Sequence, residues 1–399
     1  MLRQPEFRRF YAGYATSLLG TAMSSVAVAF AVLDAGGTAA GLGLVFAARI
    51  VPQVIFLVAG GVIADRVGHR RVMLAADMTQ GCAQAALAAA LFAGKPQIWV
   101  FVVLAVALGT GEAFFGPALS GLTVQIAPAD QLGNANALLG IGRSAASVAG
   151  PALAGVLIAV TGPAVVIAFD AASFAVSALA LALLRPSWTA GSGTRSLLGD
   201  LADGWAEFRS RPWLLVTAVQ FTLFNLLVWG PFLLLGPVLS DEVLGGAGAW
   251  GAIMACYGAG AALGGLLALG RRPRRPVASA TAATFGYAAP CALLALSAPV
   301  AGVAAGALIA GVGSAMAGAF GTTALQQQVP KEALARVSAM ETGIAFAFGP
   351  LAFAAAGPVA ALVGARAVLG FGAAWSALSS AVVLALPAVR AVRWRSTSG

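Results

Sequence analysis

The sequence predicts an all-α polytopic membrane protein with twelve transmembrane helices in two pseudo-symmetric six-helix bundles. Hydrophobic residues make up 60% of its 399 residues and charged residues 9%, whereas about 25% of an ordinary soluble domain is charged. Apolar runs long enough to cross a hydrocarbon core of about 30 Å as helices recur along the whole chain. A short pattern of Pro, Leu and Ala also occurs once in each half.

Pro, Gly and charged residues interrupt the apolar runs and set the predicted helix ends. The first run is too long for the core of a signal peptide, and no small-residue cleavage site follows it, so we expect helix 1 to be retained. The predicted helices cover residues 9–33, 40–62, 72–94, 97–122, 133–160, 163–184, 213–239, 247–270, 277–298, 300–326, 334–363 and 366–388.

Lysine and arginine are distributed unequally between the predicted loops. Lys95 and Arg366 fall on one side of the membrane, Arg49 and Arg143 lie inside helices, and the rest of the 23 basic residues fall on the side of the termini. Positively charged loops stay in the cytoplasm, so the sequence predicts a multi-pass cell-membrane protein with both termini cytoplasmic. This orientation explains the net charge of +9 better than a nucleic-acid partner does.

The longest polar stretch, residues 185–212, divides the predicted helices six and six. We therefore predict an N-terminal bundle over 1–184, a cytoplasmic linker over 185–212 and a C-terminal bundle over 213–399. Within the linker, residues 197–208 carry apolar side chains at helical spacing, which is typical of an amphipathic helix at a membrane surface.

A weak internal repeat supports this division. The segments PADQLGNANAL, from Pro128, and PKEALARVSAM, from Pro330, share Pro, Leu and Ala at equal spacing, and a Gly-Pro pair follows each. A repeat of two six-helix halves is typical of transporters in which a central site opens alternately to either side.

The segment GVIADRVGHRR, residues 61–71, resembles the signature loop between helices 2 and 3 of the major facilitator superfamily, and it lies in the matching loop. FRRFYAGYATSLLGTAM, GLGLVFAARIVP, FFGPALSGL, LGNANAL and GPALAG resemble the proton-antiporter type of multidrug and siderophore exporters in that family. The C-terminal half matches mainly in topology and in ARVSAMETG. Gly150, Pro151 and Gly155 loosely resemble the antiporters' helix-5 Gly-Pro motif.

The resemblance implies that the signature loop latches one conformation. Its latch residues would be Gly61, Asp65, Arg66, Gly68, Arg70 and Arg71. The alternative is a basic loop that only sets topology.

Simple electrostatics gives the signature loop a physical role of its own. An Asp65 carboxylate at the end of helix 2 would be favoured near N–H groups at the start of a neighbouring helix. The arginines would pair with Asp65 or Asp77 and contact the anionic inner leaflet. His69 is predicted to be a solvated loop residue and not a metal ligand, because no second histidine exists.

Five ionisable residues fall inside predicted helices, where charge is costly unless it is paired or functional. Counting depth along the helices places Glu112 level with Arg143, which allows these two to pair. It also places Arg49 level with Asp170, although there is less reason for those two to be adjacent. Glu112 is then either a proton carrier or half of a static pair, and for Arg49 and Asp170 we favour the static pair. Glu341 is either a coupling residue or a group at the cytoplasmic rim.

Two polar and aromatic stripes are candidate substrate contacts. In the resembled family helices 1, 4, 7 and 10 line a central cavity, although ordinary helix packing is the alternative for each residue. A cavity with aromatic side chains and few charges suits an amphipathic or lipophilic compound. The stripes comprise Tyr14, Ser17 and Thr21 of helix 1, with Gln220, Phe221, Asn225 and Trp229 of helix 7.

These observations predict a monomeric secondary transporter that exports a small hydrophobic or amphipathic compound, such as a drug, siderophore or secondary metabolite, by alternating access. Its partners would be that substrate, protons and the lipid bilayer, without nucleic acid, metal or cofactor. The sequence lacks a phosphate-binding loop and any constellation of nucleophile and base, so we expect no enzyme activity. The alternatives are an importer of a sugar or other nutrient and a transport-inactive sensor or partner protein.

Overall fold

The computed structural model describes residues 4–128, 131–184, 205–330, 337, 338, 340, 341, 344 and 348–394, and for residues 57, 58, 61, 62 and 133 it describes the backbone alone. Within these ranges the chain is helical apart from short connections and contains no strand.

Six long helices form the first half of the chain. Proline stands at the start of α1 and α6, where its missing N–H is not needed. The Thr38 hydroxyl oxygen caps α2 by accepting a hydrogen bond of 3.2 Å from the Gly41 N–H. The helices are α1 Pro5–Asp34, α2 Ala39–Val67, α3 His69–Ala93, α4 Ile98–Ile126, α5 Leu132–Thr161 and α6 Pro163–Ala182.

The helices of the second half are interrupted more often. A π-helical segment, Asn225–Trp229, separates α7 from α8, and a 3₁₀ segment, Thr284–Tyr287, separates α10 from α11. A second π-helical segment, Ser240–Leu244, follows α8. The helices are α7 Pro212–Phe224, α8 Gly230–Leu239, α9 Ala247–Ala268, α10 Pro276–Ala283, α11 Ala288–Ala295, α12 Val300–Gln328, α13 Gly349–Val363, α14 Ala365–Ala385 and α15 Pro387–Arg390.

Ten helical stretches of the described chain are long and apolar enough to cross a membrane, including the continuous stretches Pro212–Leu244 and Pro276–Ala295. Two further helices complete the set of twelve. One is α3, which has 25 residues but carries more polar side chains, and the other is α13, whose preceding residues lie largely outside the described ranges. The predicted all-α, twelve-helix membrane fold is confirmed.

The signature segment is not the loop that the sequence predicts. Helix α2 continues to Val67 and α3 begins at His69, so that the connection is Gly68 alone. Gly68 has φ of 102°, a conformation that a residue without a Cβ adopts at little cost. The motif therefore consists of two helix ends joined by a one-residue turn.

Contacts between Cα atoms divide the chain into two compact units. Unit 1 comprises Met1–Ser192 and Ser240–Ala255, and unit 2 comprises Gly193–Leu239 and Cys256–Gly399. The bounds predicted above, 1–184, 185–212 and 213–399, remain a prediction. Of the predicted amphipathic helix, residues 197–204 lie outside the described ranges, whereas residues 205–209 are helical and bury Phe208.

Glycines allow close helix packing inside unit 1. A Cβ on Gly109 of α4 would collide with the carbonyl oxygen of Arg49 on α2, and a Cβ on Gly60 would lie 2.7 Å from the carbonyl oxygen of Ala113. The backbones of α2 and α4 are therefore in direct contact. This contact fixes the position of the charged side chains described next.

Candidate functional site

Unit 1 contains a cavity of about 360 Å³ among α1, α3, α4, α5 and α6. Five candidate residues from the sequence analysis lie in its wall, namely Tyr14, Ser17 and Thr21 of helix 1 and the ionisable Glu112 and Arg143. The lining residues are Tyr14, Ser17, Leu18, Thr21, Asp77, Gln80, Glu112, Phe115, Gly116, Leu119, Ser120, Arg143 and Phe174.

Glu112 forms its ion pair with Arg49, so the predicted pairs Glu112–Arg143 and Arg49–Asp170 are wrong. Arg49 Nε donates to both carboxylate oxygens, at 3.1 and 3.2 Å, and a terminal guanidinium nitrogen also donates to Oε1. Each side chain is 20% exposed. Depth counting matched residues by level but did not fix the direction in which each helix turns its side chains, and the contact between α2 and α4 decides that direction.

Arg143 instead contacts an aromatic hydroxyl. Its Nε donates to the hydroxyl oxygen of Tyr14 at 3.1 Å, and the Tyr14 ring stacks on Phe115 with centroids 6.2 Å apart. No carboxylate in the described ranges lies within ion-pair distance of this guanidinium. Arg143 thus brings an uncompensated positive charge to the cavity wall.

Asp170 is fully buried in a network of neutral donors. Gln84 Nε2 of α3 donates to Oδ2 at 2.6 Å, Ser173 Oγ donates to Oδ1 at 3.2 Å, and Thr21 Oγ1 of α1 is 3.5 Å from Oδ1. The same Gln84 amide nitrogen lies 2.6 Å from Ser24 Oγ. The carboxylate therefore ties α1, α3 and α6 together without a basic partner in hydrogen-bonding contact.

Asp77, which the sequence analysis names only as a possible partner of the signature arginines, is a residue of the cavity wall. Its side chain is 1% exposed, it borders the cavity beside Gln80, and Ser177 of α6 is a polar neighbour. Neither carboxylate oxygen meets a partner at hydrogen-bonding geometry within the described chain, so the predicted pairing with the signature arginines is wrong. Because α3 begins at His69, Asp77 lies about two turns inside the helix. A carboxylate at that depth in an apolar helix is the feature of the sequence that could have identified it.

Arg70 of the signature segment binds the end of α6. Its Nε donates to the Leu181 carbonyl oxygen at 2.7 Å, and a terminal guanidinium nitrogen donates to the Ala182 carbonyl oxygen at 2.6 Å. The last carbonyl groups of a helix have no partner within the helix, and a positive charge is favoured beside them. Arg70 therefore joins the start of α3 to the end of α6.

The other signature residues are arranged differently from the prediction. Asp65 is 68% exposed, and His69 Nε2 lies 3.5 Å from its Oδ1. The His69 ring is 13% exposed and packs against Gly121 of α4, so the prediction of a solvated loop histidine is wrong. Arg66 and Arg71 are exposed. Gly61 lies in α2, and only its backbone is described. The latch role stays a prediction.

The helix-5 motif makes close backbone contacts within unit 1. Gly150 faces Ala22 of α1, and a Cβ on Gly155 would lie 2.8 Å from the Cα of Gly251. The carbonyl oxygen of Pro151 lies equally close to a Cβ built on Gly251. These small residues allow close contacts of α5, and their antiporter role stays a prediction.

Unit 2 contains a second cavity, of about 490 Å³. The predicted helix-7 residues Gln220, Phe221, Asn225 and Trp229 all lie in its wall, as does Glu341. The other lining residues are Trp213, Thr217, Phe224, Tyr257, Val277, Ala280, Thr281, Thr284, Tyr287, Ser314, Ala317, Gly318, Gly321, Thr322, Ser376, Ser379 and Ser380.

Aromatic rings from three helical stretches meet in this second cavity. The Trp229 ring centroid is 5.1 Å from that of Tyr257 and 5.7 Å from that of Tyr287, and Phe224 lies 4.5 Å from Tyr287. The two tyrosine hydroxyl oxygens are 3.1 Å apart, and Tyr257 donates to Ser314 Oγ at 3.0 Å. Tyr257, Tyr287 and Ser314 were missed because each stands alone in an apolar run.

The sequence profile of the Major Facilitator Superfamily matches residues 10–341 of the chain. The chain is 26% identical over 267 residues to macrolide efflux protein A of Streptococcus pyogenes, and the match covers 66% of this chain and 65% of that protein's length. It is 27% identical over 386 residues to multidrug efflux pump Tap of Mycobacterium tuberculosis strain H37Rv, with 93% of this chain and 91% of that one covered.

Solved structures of transporters share the fold. The nucleoside transporter NupG matches with a TM-score of 0.73 at 14% identity over 96% of this chain and 98% of its own. A bacterial homologue of the human lysosomal transporter Spinster matches with a TM-score of 0.69 at 14% identity over 98% of both chains. At such identities the likeness concerns the fold alone.

Proposed function

Because this chain belongs to the Major Facilitator Superfamily, we propose that the transport it carries out is proton-driven export of a small hydrophobic or amphipathic compound from the cell. The curated relatives that carry efflux names support this direction. In this proposal the chain acts as a monomer by alternating access, with both termini in the cytoplasm.

The observation that carries the proposal is the different chemistry of the two cavities. The wall of the unit 1 cavity holds two carboxyl side chains, Asp77 and Glu112, and one guanidinium, Arg143. The described wall of the unit 2 cavity is aromatic and hydroxyl-rich with one charged side chain, Glu341. Buried ionisable groups in membrane helices are typical of proton pathways, whereas aromatic walls suit lipophilic solutes.

Within unit 1 we assign proton binding to Asp77 in addition to Glu112. Asp77 has no hydrogen-bond partner among the described residues, so protonation removes an unsatisfied buried charge without breaking a contact. Protonation of Glu112, in contrast, removes the negative charge that balances the Arg49 guanidinium and weakens this pair. If Arg143 moved from Tyr14 toward Asp77 or Glu112, its positive charge would lower the proton affinity of that carboxylate. Proton binding would in this way be coupled to the conformation of the transporter.

The latch would operate at the joint between α2 and α3. This joint comprises Gly61, Asp65, Arg66, Gly68, Arg70 and Arg71, and its anchor is the bond of Arg70 to the end of α6. Loss of that anchor would free the joint and change the balance between conformations.

A second candidate function is proton-driven uptake of a polar solute. The hydroxyl groups of Thr281, Thr284 and Ser380 in the wall of the unit 2 cavity favour it. Each already bonds within the protein, but a hydroxyl oxygen keeps acceptor capacity for a sugar or nucleoside hydroxyl.

The sign of an imposed pH gradient distinguishes the two functions. In proteoliposomes of the purified chain, an antiporter accumulates its substrate when the lumen is acidic, whereas a symporter accumulates it when the exterior is acidic. We expect accumulation of hydrophobic dyes or secondary metabolites with an acidic lumen, and loss of gradient dependence in Asp77→Asn and Glu112→Gln. Glu242→Gln, at an exposed carboxylate outside both cavities, is the matched control. Accumulation that ignores the gradient in the unchanged chain would contradict the proposal.

A further inference from the structure

Resting on the proposed transport function, we propose that the unit 2 cavity is a recognition site for organic cations. The packed rings of Trp229, Tyr257 and Tyr287 form an aromatic part of the wall against which the cationic group binds, and the carboxylate of Glu341 in the same wall balances its charge.

The aromatic rings of this wall pack against one another at different angles. Trp229 and Tyr287 meet at an interplanar angle of 79°, Phe224 and Tyr287 at 62°, and Trp229 and Tyr257 at 36°. A cation within about 6 Å of an aromatic face is attracted by the ring quadrupole, most strongly for Trp and then Tyr. An aromatic wall of this kind therefore favours a cation over a neutral molecule of equal size.

The hydroxyl groups of the tyrosines are directed to each other. Tyr257 and Tyr287 share a hydrogen bond of 3.1 Å, and Tyr257 donates to Ser314 Oγ. These bonds hold two rings from separate helices in a fixed relation before a ligand arrives, and pre-organisation lowers the entropic cost of binding.

The charge of the cavity also selects for cations. Glu341 is the charged side chain among the lining residues, and no ion pair within the described chain involves it. A carboxylate in a poorly solvated wall attracts a cation and repels an anion more strongly than it would in water.

Irregular backbone places these side chains in the wall. Asn225 and Trp229 begin and end a π-helical segment, and Thr284 and Tyr287 begin and end a 3₁₀ segment. Single π-helical turns inside α-helices occur frequently at functional sites. The volume of about 490 Å³ falls in the range of small-molecule pockets.

Tetraphenylphosphonium and tetraphenylborate test the proposal because they have nearly the same size and shape and opposite charge. Binding is measured by equilibrium dialysis against the purified full chain in detergent, with protein-free micelles as the blank. We expect the Kd of the cation to be at least about tenfold lower than that of the anion. Glu341→Gln and Trp229→Leu should each weaken cation binding about tenfold.

Matched variants separate this role from a structural one. Tyr287→Phe keeps the ring and should keep the cation preference, whereas Tyr287→Leu should reduce it, and Glu242→Gln should change neither Kd. Glu341→Gln should leave anion binding unchanged or tighter. Equal binding of the two ions, preference for the anion, or binding of neither would overturn the proposal.

The two proposals fail in distinguishable ways. If proteoliposomes accumulate hydrophobic compounds with an acidic lumen but the purified chain shows no preference for the cation, export stands and cation recognition is wrong. If the cation binds through Glu341 but no compound moves with the gradient, the site stands and proton-driven export is wrong.

Discussion

Arg49 of α2 binds Glu112 of α4 through both carboxylate oxygens, directly beside the point where Gly109 brings the two helix backbones into contact. The ion pair and the glycine belong to the same contact between α2 and α4. Without a Cβ on residue 109 the helices approach closely, and the approach lets the guanidinium reach the carboxylate. The charge pair is therefore a consequence of the helix packing and also constrains it.

Removal of one partner of this pair should destabilise the protein more than removal of both. Arg49→Met leaves the Glu112 carboxylate 20% exposed without its cation, which we expect to cost about 1–3 kcal/mol, less than a fully buried pair would. The double variant Arg49→Met with Glu112→Leu should recover most of that loss, because apolar side chains of similar volume replace both charges. Differential scanning fluorimetry in detergent measures the change. Equal or greater loss in the double variant would contradict the prediction.

Gly109→Ala should be strongly destabilising, whereas Gly116→Ala on the same helix should not. A methyl group at position 109 collides with the Arg49 carbonyl oxygen, but one at position 116 meets open space. Overpacking of this kind costs about 1–3 kcal/mol, whereas an alanine in an open helical position is favourable relative to glycine. Thermal unfolding in detergent compares the two variants. A similar midpoint for both would show that α2 and α4 do not make this backbone contact.

The sequence predicted the helices well because an apolar run must be helical to cross a membrane. It predicted pairing poorly because a depth count contains no information on helix rotation. Arg49 and Asp170 were matched by level, yet Arg49 lies against α4 and Asp170 against α1 and α3. The contact of Gly109 with the Arg49 backbone places α2 against α4, and this packing identifies Glu112 as the partner of Arg49.

The sequence also missed features that depend on local backbone irregularity. The stripe of Phe221, Asn225 and Trp229 was read with ideal helical spacing, but Asn225–Trp229 is π-helical. Nothing in those five residues resembles a break signal such as proline or glycine, and Tyr287 faces them from a 3₁₀ turn that also follows an apolar run. Such irregularities arise from packing against neighbouring helices and are absent from sequence patterns.

Asp170→Asn and Asp77→Asn should affect stability in opposite directions. An asparagine at position 170 replaces one acceptor oxygen by an NH2 group, so one of the bonds that Gln84 and Ser173 donate to the carboxylate is lost or must reverse, and we expect a loss of about 1–3 kcal/mol. At position 77 the change removes a buried charge without a partner among the described residues, which should leave stability equal or higher. Thermal midpoints of both variants at neutral pH test the contrast. A marked loss in Asp77→Asn would mean that its carboxylate is satisfied.

Arg70 and Arg71 are adjacent arginines with different environments, which makes them a matched pair for a test of the signature joint. Arg70 donates to two carbonyl oxygens at the end of α6, whereas Arg71 is exposed and forms no hydrogen bond or ion pair recorded for the described chain. Each variant, Arg70→Ala or Arg71→Ala, removes the same charge from the same helix turn.

Arg70→Ala should lower stability by about 1–3 kcal/mol, since it leaves the Leu181 and Ala182 carbonyl groups without their charged donor. Arg71→Ala should change it by less than about 0.5 kcal/mol. Arg70→Lys should recover part of the loss, because one ammonium group cannot reach both oxygens with the geometry of a guanidinium fork. Thermal unfolding and protease accessibility of the joint measure these effects together. If both alanine variants behaved alike, the role of the signature arginines would be the general one of setting topology, and α6 would not be held by Arg70.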